Sequence, residues 1–106
     1  MRRRHIAVGV GLLFALASIP AFVLAQNEVP ECVAVRAEAR WGADAYNHVV
    51  VVQNRCARAA RCQVATDVNP EPTEVSVPAG ETREVVTFLG SPARVFTPRV
   101  RCELSR

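Results

Sequence analysis

The chain has 106 residues, 50% of them hydrophobic, with 13 basic and 10 acidic side chains and 4 cysteines. A chain of this length holds one domain, near the size at which a single core yields only a few kcal/mol and cross-links matter. The net charge of +3 is concentrated at the start, in Arg2, Arg3 and Arg4, and there is no lysine anywhere.

Those three arginines open an export signal. They form a positive n-region that stays on the cytoplasmic side while the next segment enters the membrane. Ile6 to Leu24 carries no charged side chain, and its densest apolar part, Gly11 to Ala17, has the length of an h-region. Pro20 breaks the helix shortly before Val23-Leu24-Ala25, whose side chains at 23 and 25 suit the two pockets that read a cleavage site. Residues 1–25 are therefore expected to be a helical signal peptide cut after Ala25. Ile6 to Ala25 is also long enough to span a bilayer, so an uncleaved anchor is the competing reading, in which the membrane is met through this segment alone. Val29-Pro30-Glu31 before Cys32 does not resemble a lipobox, and Arg3-Arg4-His5-Ile6 matches the twin-arginine pattern poorly.

Removing the signal leaves 10 arginines against 10 acids, a formally neutral domain. The basic character belongs to the targeting segment, so no nucleic-acid partner is expected. The use of arginine alone, beside many alanines and valines, reads as base-composition bias.

Residues 26–31 read as a polar leader and residues 32–106 as the folded domain. Cys32 to Ala37 has strand character. Val33 to Ala45 is alanine-rich and is the best helix candidate, although strand plus loop is the preferred reading. Tyr46 to Gln53 contains Val49-Val50-Val51-Val52, a β-branched run suited to a pleated surface. Its lack of alternation predicts a strand buried on both faces or under long neighbours. Arg61 to Thr66 follows, then Thr73 to Val77. Pro78-Ala79-Gly80-Glu81 is a turn. Thr82 to Leu89 places Val86 and Phe88 on one face and Val85 and Leu89 on the other. Gly90-Ser91-Pro92 is a second turn, and Arg94 to Leu104 closes the chain. Six or seven short strands with proline and glycine turns between them predict an all-β sandwich.

Val75-Ser76-Val77-Pro78-Ala79-Gly80-Glu81-Thr82 with Val85-Val86, and the valine run ending in Asn54, resemble the edge turn and a hydrophobic strand of small secreted bacterial immunoglobulin-like domains. The resemblance covers Tyr46 to Leu104 and implies an immunoglobulin-like antiparallel sandwich without implying an activity. The tryptophan position of antibody-type domains is not matched, since Trp41 precedes the valine strand.

Cys32, Cys56, Cys62 and Cys102 behind an export signal predict two disulfides and an oxidising compartment. Three pairings exist. A hairpin around Trp41-Gly42 brings Cys32 toward Cys56. The resemblance places the third strand beside the last one, which implies Cys62 with Cys102. Cys56 with Cys62 and Cys32 with Cys102 is the second choice. No Cys-x-x-Cys pair is present, which argues against a zinc site or a redox-active disulfide.

His48 is the single histidine after cleavage, and Ser76, Ser91 and Ser105 sit in no nucleophile motif, so no catalytic set emerges. Asp67-Val68-Asn69-Pro70-Glu71 alternates oxygen side chains as calcium loops do, but it lacks their glycine and reads better as a turn. No metal or cofactor is expected. Arg55, Arg58 and Arg61, flanked by Arg99 and Arg101, form either a basic patch for an acidic polymer or an ordinary polar rim, the rim being preferred. Trp41 and Tyr46 form either an exposed sugar platform or, preferentially, a packed pair. The expected function is a non-enzymatic module, periplasmic or extracellular, that supports or binds a protein or cell-surface polymer. The alternative is a small secreted inhibitor of a protease or other enzyme, presenting the braced loop from Asn54 to Cys62.

Overall fold

The computed structural model describes residues 27–106; the predicted signal segment and its cleavage site lie outside them. Six strands follow in chain order: β1 (Val33–Trp41), β2 (Tyr46–Asn54), β3 (Ala60–Thr66), β4 (Thr73–Val77), β5 (Thr82–Ser91) and β6 (Pro98–Leu104). They form two antiparallel three-stranded sheets, one ordered β1-β2-β5 and the other β4-β3-β6. Among the described residues there is no helix, so Val33 to Ala45 is a strand running into a hairpin loop.

The inward side chains of both sheets make one core. Val33, Val50 and Val52 of the first sheet meet Ala60, Cys62, Val64, Val77, Val100 and Cys102 of the second, with Phe96 closing one side. This is the alternation of half-buried strands on two packed sheets. The chain changes sheet between β2 and β3, between β4 and β5, and between β5 and β6. The second crossing is a tight turn in which Glu81 N donates to Pro78 O at 3.1 Å. Gly80 supplies the positive φ of 79° there, a conformation that costs a side-chain-bearing residue energy.

β2 departs from simple alternation: Val49, Val50, Val51 and Val52 are all 2% exposed or less. Val50 and Val52 face the core. Val49 and Val51 point the other way, beneath a charged roof. Glu38 and Arg36 of β1 lie opposite Val49 and Val51, and Glu84 of β5 lies opposite Val51 from the other side. Arg40 Nη2 reaches Glu38 Oε1 at 2.7 Å and Glu84 Oε2 at 2.8 Å, so the network crosses the middle strand. Arg36 joins Glu38 at 2.8 Å. The aliphatic stems of such residues cover apolar surface while their heads stay in water.

Two features differ from the sequence reading. The register of β2 with β5 is irregular around His48, which pairs with Phe88 while Val49 pairs with Val86. The extra residue, Thr87, shifts Phe88 to the side of His48, so Val86 and Phe88 do not share a face. The last strand begins at Pro98 rather than Arg94, because residues 92–97 form the loop that carries Phe96 onto the core.

Within the polar leader, Asn27 and Glu28 bond to the last strand. Glu28 pairs in parallel with Arg101. Glu28 N donates to Val100 O at 2.8 Å, and Cys102 N donates to Glu28 O at 3.0 Å. Asn27 Oδ1 accepts from Val100 N at 2.9 Å. The free edge of β6 is thereby covered.

Candidate binding surface

Both disulfides are formed, Cys32 with Cys56 and Cys62 with Cys102. The first closes the open end of the β1–β2 hairpin, where Arg55 N also donates to Cys32 O at 2.8 Å. The second links directly opposed residues of β3 and β6, with Cα atoms 4.0 Å apart. Two oxidised pairs in so small a domain fit an oxidising, extracytoplasmic compartment.

The sandwich has two unlike ends. At one end lie the β1–β2 hairpin tip, the β3–β4 loop of residues 67–72 and the β5–β6 loop of residues 92–97. The other end holds residues 29–32, the β2–β3 loop of residues 55–59 and the turn at Gly80. Trp41 and Tyr46 are the last pair of the hairpin and stand at the first end. Their rings meet edge to face, with centroids 4.9 Å apart. Trp41 is nevertheless 62% exposed, so it is not a core residue, and its packing is confined to the hairpin tip. The tip is held by Gly42 N donating to Ala45 O at 2.7 Å.

Three further large apolar side chains are exposed at this end: Phe88, Leu89 at 70% and Val95 at 83%. Ser91 pairs with Tyr46, and Gly90 N donates to Asn47 Oδ1 at 3.2 Å, which anchors the end of β5 beside the hairpin tip. Sequence reasoning missed Phe88, Leu89 and Val95 because an isolated apolar residue in a strand or loop looks like core. The topology gathers them at one end.

His48 organises the layer beneath. It is fully buried, stacks on Phe96 with centroids 4.0 Å apart, and lies 2.7 Å from Ala93 O through Nε2. A carbonyl only accepts, so Nε2 carries the hydrogen. Nδ1 has no hydrogen-bond partner. His48 thus pins residues 92–97 to β2. Asp67 pins the same loop from the opposite sheet: its Oδ1 accepts from Thr97 N at 2.8 Å, and its N donates to Thr97 O at 3.0 Å. Thr66 Oγ1 accepts from Asn69 N at 2.9 Å, and Asn69 Nδ2 donates to Thr87 O at 2.7 Å. Asp67 through Oδ1 and Asn69 through Nδ2 therefore serve a turn and its anchoring, in keeping with the sequence preference for a turn.

The arginines named from the sequence do not form one patch. Arg55 and Arg58 are exposed in the β2–β3 loop, at the end away from Trp41. Arg55 donates to Gln53 Oε1 at 3.1 Å. Arg61 points outward from β3 and lies 3.9 Å from Glu74. With Gln63, Arg101 and Glu103 these two line a shallow depression of about 160 Å³ on the outer face of the second sheet. Arg101 is further paired with Glu28 at 2.9 Å. Acids alternate with arginines throughout, which gives a mixed polar face rather than a basic one.

On the opposite face, the Arg40 guanidinium holds the carboxyl of Glu38, assisted by Arg36, below the usual carboxylate range. Arg40 lowers Glu84 in the same way. Hydrogen bonding to the charged form is the cause in each case. Among the described residues no group of three or more His, Cys, Asp or Glu side chains converges to hold a metal ion. No family model, curated protein or solved structure matches the chain.

Proposed function

We propose that the chain is exported and that its domain is an immunoglobulin-like binding module which works outside the cytoplasm without catalysing a reaction. The order β1-β2-β5 over β4-β3-β6 supports the immunoglobulin-like reading. Among the described residues it corresponds to strands A, B and E over C′, C and F. The pair Cys62–Cys102 departs from that family's usual bridge between sheets, because it joins two strands of one sheet.

The observation that carries the binding role is the exposure of Trp41 on a rigid frame. A large amphipathic ring held by Tyr46, above loops pinned through His48 and Asp67, is a contact surface ordered in advance. Ordering before contact lowers the entropy lost on binding. The inhibitor reading has less support. Arg58 O accepts from the buried Asn54 Nδ2 at 2.9 Å, so the main chain of the braced loop is turned into the domain instead of toward a protease.

Photocrosslinking in exporting cells tests this reading. A crosslinker at position 41 is expected to capture a partner outside the cytoplasm, and one at position 58 is not. Adducts from 58 alone, or stoichiometric inhibition of a protease by the purified domain, would replace the proposal with the inhibitor reading. The exported protein should begin at Gln26 by N-terminal sequencing.

A further inference from the structure

We infer that the domain pairs with a second copy of itself through the free edge of β1, strand against antiparallel strand, centred on Ala37. This goes beyond the binding role of the aromatic end and does not depend on it. Three observations carry it: how the other edges are guarded, where the main chain of β1 points, and how its charges match.

A strand at the edge of a sheet presents unpaired N–H and C=O groups, and folds guard such edges with cover, bulges, short length or proline. Here β6 is covered by Asn27 and Glu28. β4 has only 5 residues, with Pro72 before it and Pro78 after it. β5 is interrupted by the extra residue Thr87, whose carbonyl accepts from Asn69 Nδ2 at 2.7 Å. β1 has none of these guards. Its 9 residues pair with β2 without a register shift, and among the described residues no strand pairs with its other side. In an antiparallel ladder, alternate residues turn their N–H and C=O toward a given neighbour. Arg55 N donates to Cys32 O, and Gly42 N to Ala45 O, at the two ends of the hairpin. The even-numbered residues of β1 therefore bond to β2, and the odd-numbered ones turn their main chain to the open side. Val33 N is already held by Pro30 O at 2.9 Å. A residue opposite Val33 gains little, so the pairing spans Val35 to Ala39 and leaves Trp41 outside it.

Two copies related by a twofold axis through Ala37 set Ala37 against Ala37, Val35 against Ala39 and Arg36 against Glu38. The odd-numbered pairs then exchange about six main-chain hydrogen bonds. Ala37 is exposed although it lies on the core-facing side of β1, and its methyl leaves room at the axis. Arg36 and Glu38 lie on the other face and pair within one copy at 2.8 Å. In this register each also meets its opposite charge from the second copy, at the closer, non-hydrogen-bonded positions of the ladder. The smallest slip that keeps the faces is two residues. One slip sets Arg36 against Arg36. The other sets Glu38 against Glu38 and Arg36 against Arg40. Like charges directly opposed are destabilising, so the charges select both the register and the occupant. Arg36-Ala37-Glu38 is its own complement when run antiparallel. The product is a closed twofold pair that joins the two sheets β1-β2-β5 edge to edge. The contact is small, so the pair is weak, with a Kd between about 1 µM and about 1 mM.

Analytical ultracentrifugation of residues 26–106, which include both disulfides and the whole core, tests this. The mass should rise from monomer to dimer as the protein approaches about 1 mM, and go no further. Ala37→Lys places two charges at the axis and should abolish the dimer. Arg36→Glu opposes acid to acid at both Arg36–Glu38 contacts and should weaken it about tenfold or more. The exchange Arg36→Glu/Glu38→Arg restores opposite charges in the same register and should recover most of the affinity. Leu89→Ser/Val95→Ser should dimerise like the wild type. Near-ultraviolet circular dichroism should show each variant folded, since Arg36, Ala37, Leu89 and Val95 are exposed and Glu38 is half-buried.

A monomer at about 1 mM overturns the inference. So does a dimer that Ala37→Lys or Arg36→Glu leaves intact, or one that the folded exchange variant does not recover. A dimer lost in Leu89→Ser/Val95→Ser would move self-association to the aromatic end and overturn it too. The crosslinker at position 41 decides the binding role separately, because Trp41 lies outside the paired run.

Discussion

Asn54 Nδ2 donates to Val77 O at 2.9 Å, a buried bond between the end of β2 in one sheet and the end of β4 in the other. The same amide reaches Arg58 O at 2.9 Å and Pro78 O at 3.2 Å, and Asn54 Oδ1 accepts from Cys56 N at 2.8 Å. One side chain thus satisfies the backbone at the two crossings of its end of the domain, β2 to β3 and β4 to β5. Neither disulfide joins the sheets, so apart from the core this residue is a main connection between them at its end of the domain.

Asn54→Ala should therefore cost about 3 kcal/mol or more, because several buried backbone groups lose their partner together. Asn54→Asp should cost at least as much, since a carboxylate offers no N–H to Val77 O and brings a charge into the core. Urea unfolding checks both, with a lowered midpoint and an unchanged slope as the expected result.

The charged roof over Val49 and Val51 predicts a pH dependence. Glu38 and Glu84 have folded pKa values below the ordinary glutamate value of about 4.3. In acid the unfolded chain binds protons first, so stability rises with pH through this range. The contribution is fully present above the ordinary value and is lost as pH falls through the lowered ones. Glu84→Gln should flatten the acid limb of stability against pH and leave neutral stability little changed. Arg40→Met keeps the apolar stem over β2 and should flatten it further, since Arg40 bonds both carboxylates.

The two disulfides should differ in weight. Their sequence separations are 24 and 40 residues, which in the chain-entropy account gives about 3 to 4 kcal/mol each, the longer loop more. Cys62 and Cys102 both sit inside the core, whereas in the other pair Cys56 does so and Cys32 packs at its margin. Cys62→Ala/Cys102→Ala should lower the thermal midpoint more than Cys32→Ala/Cys56→Ala. The reverse order would mean that the crossing between β2 and β3 limits stability.

His48 predicts a structural loss. His48→Ala removes the bond to Ala93 O and the stacking on Phe96, and should destabilise by about 2 to 4 kcal/mol. Amide exchange at residues 92–97 should rise above the average change, because that loop loses its anchor on the first sheet.

Most of the architecture was legible in local pattern. β-branched runs and Pro-Ala-Gly-Glu gave strands and turns, and the unbroken valines of β2 gave a strand covered on both sides. What escaped depends on contacts distant in sequence. Asn27 and Glu28 look like a leader because their partner strand lies some 70 residues further on. The extra residue at Thr87 reassigns faces along β5, and no local composition marks it. Asn54 resembles a strand terminator until the crossings on either side of it converge. Trp41 meets Tyr46 edge to face at the hairpin tip, past the edge of the core, and no local pattern separates that place from a core position. Spacing alone does not separate a basic patch from the preferred polar rim: Arg55 and Arg58 lie at one end, while Arg61 turns out onto a sheet face beside Glu74 and Glu103.

The binding role requires an ordered domain that displays Trp41 to solvent. Acrylamide quenching of the single tryptophan in folded residues 26–106 tests this directly. The expected emission resembles that of tryptophan in water, and the quenching constant should approach that of the unfolded chain, with near-ultraviolet circular dichroism showing a folded core. A blue-shifted, protected tryptophan in the isolated monomer would place Trp41 inside the domain and contradict the account.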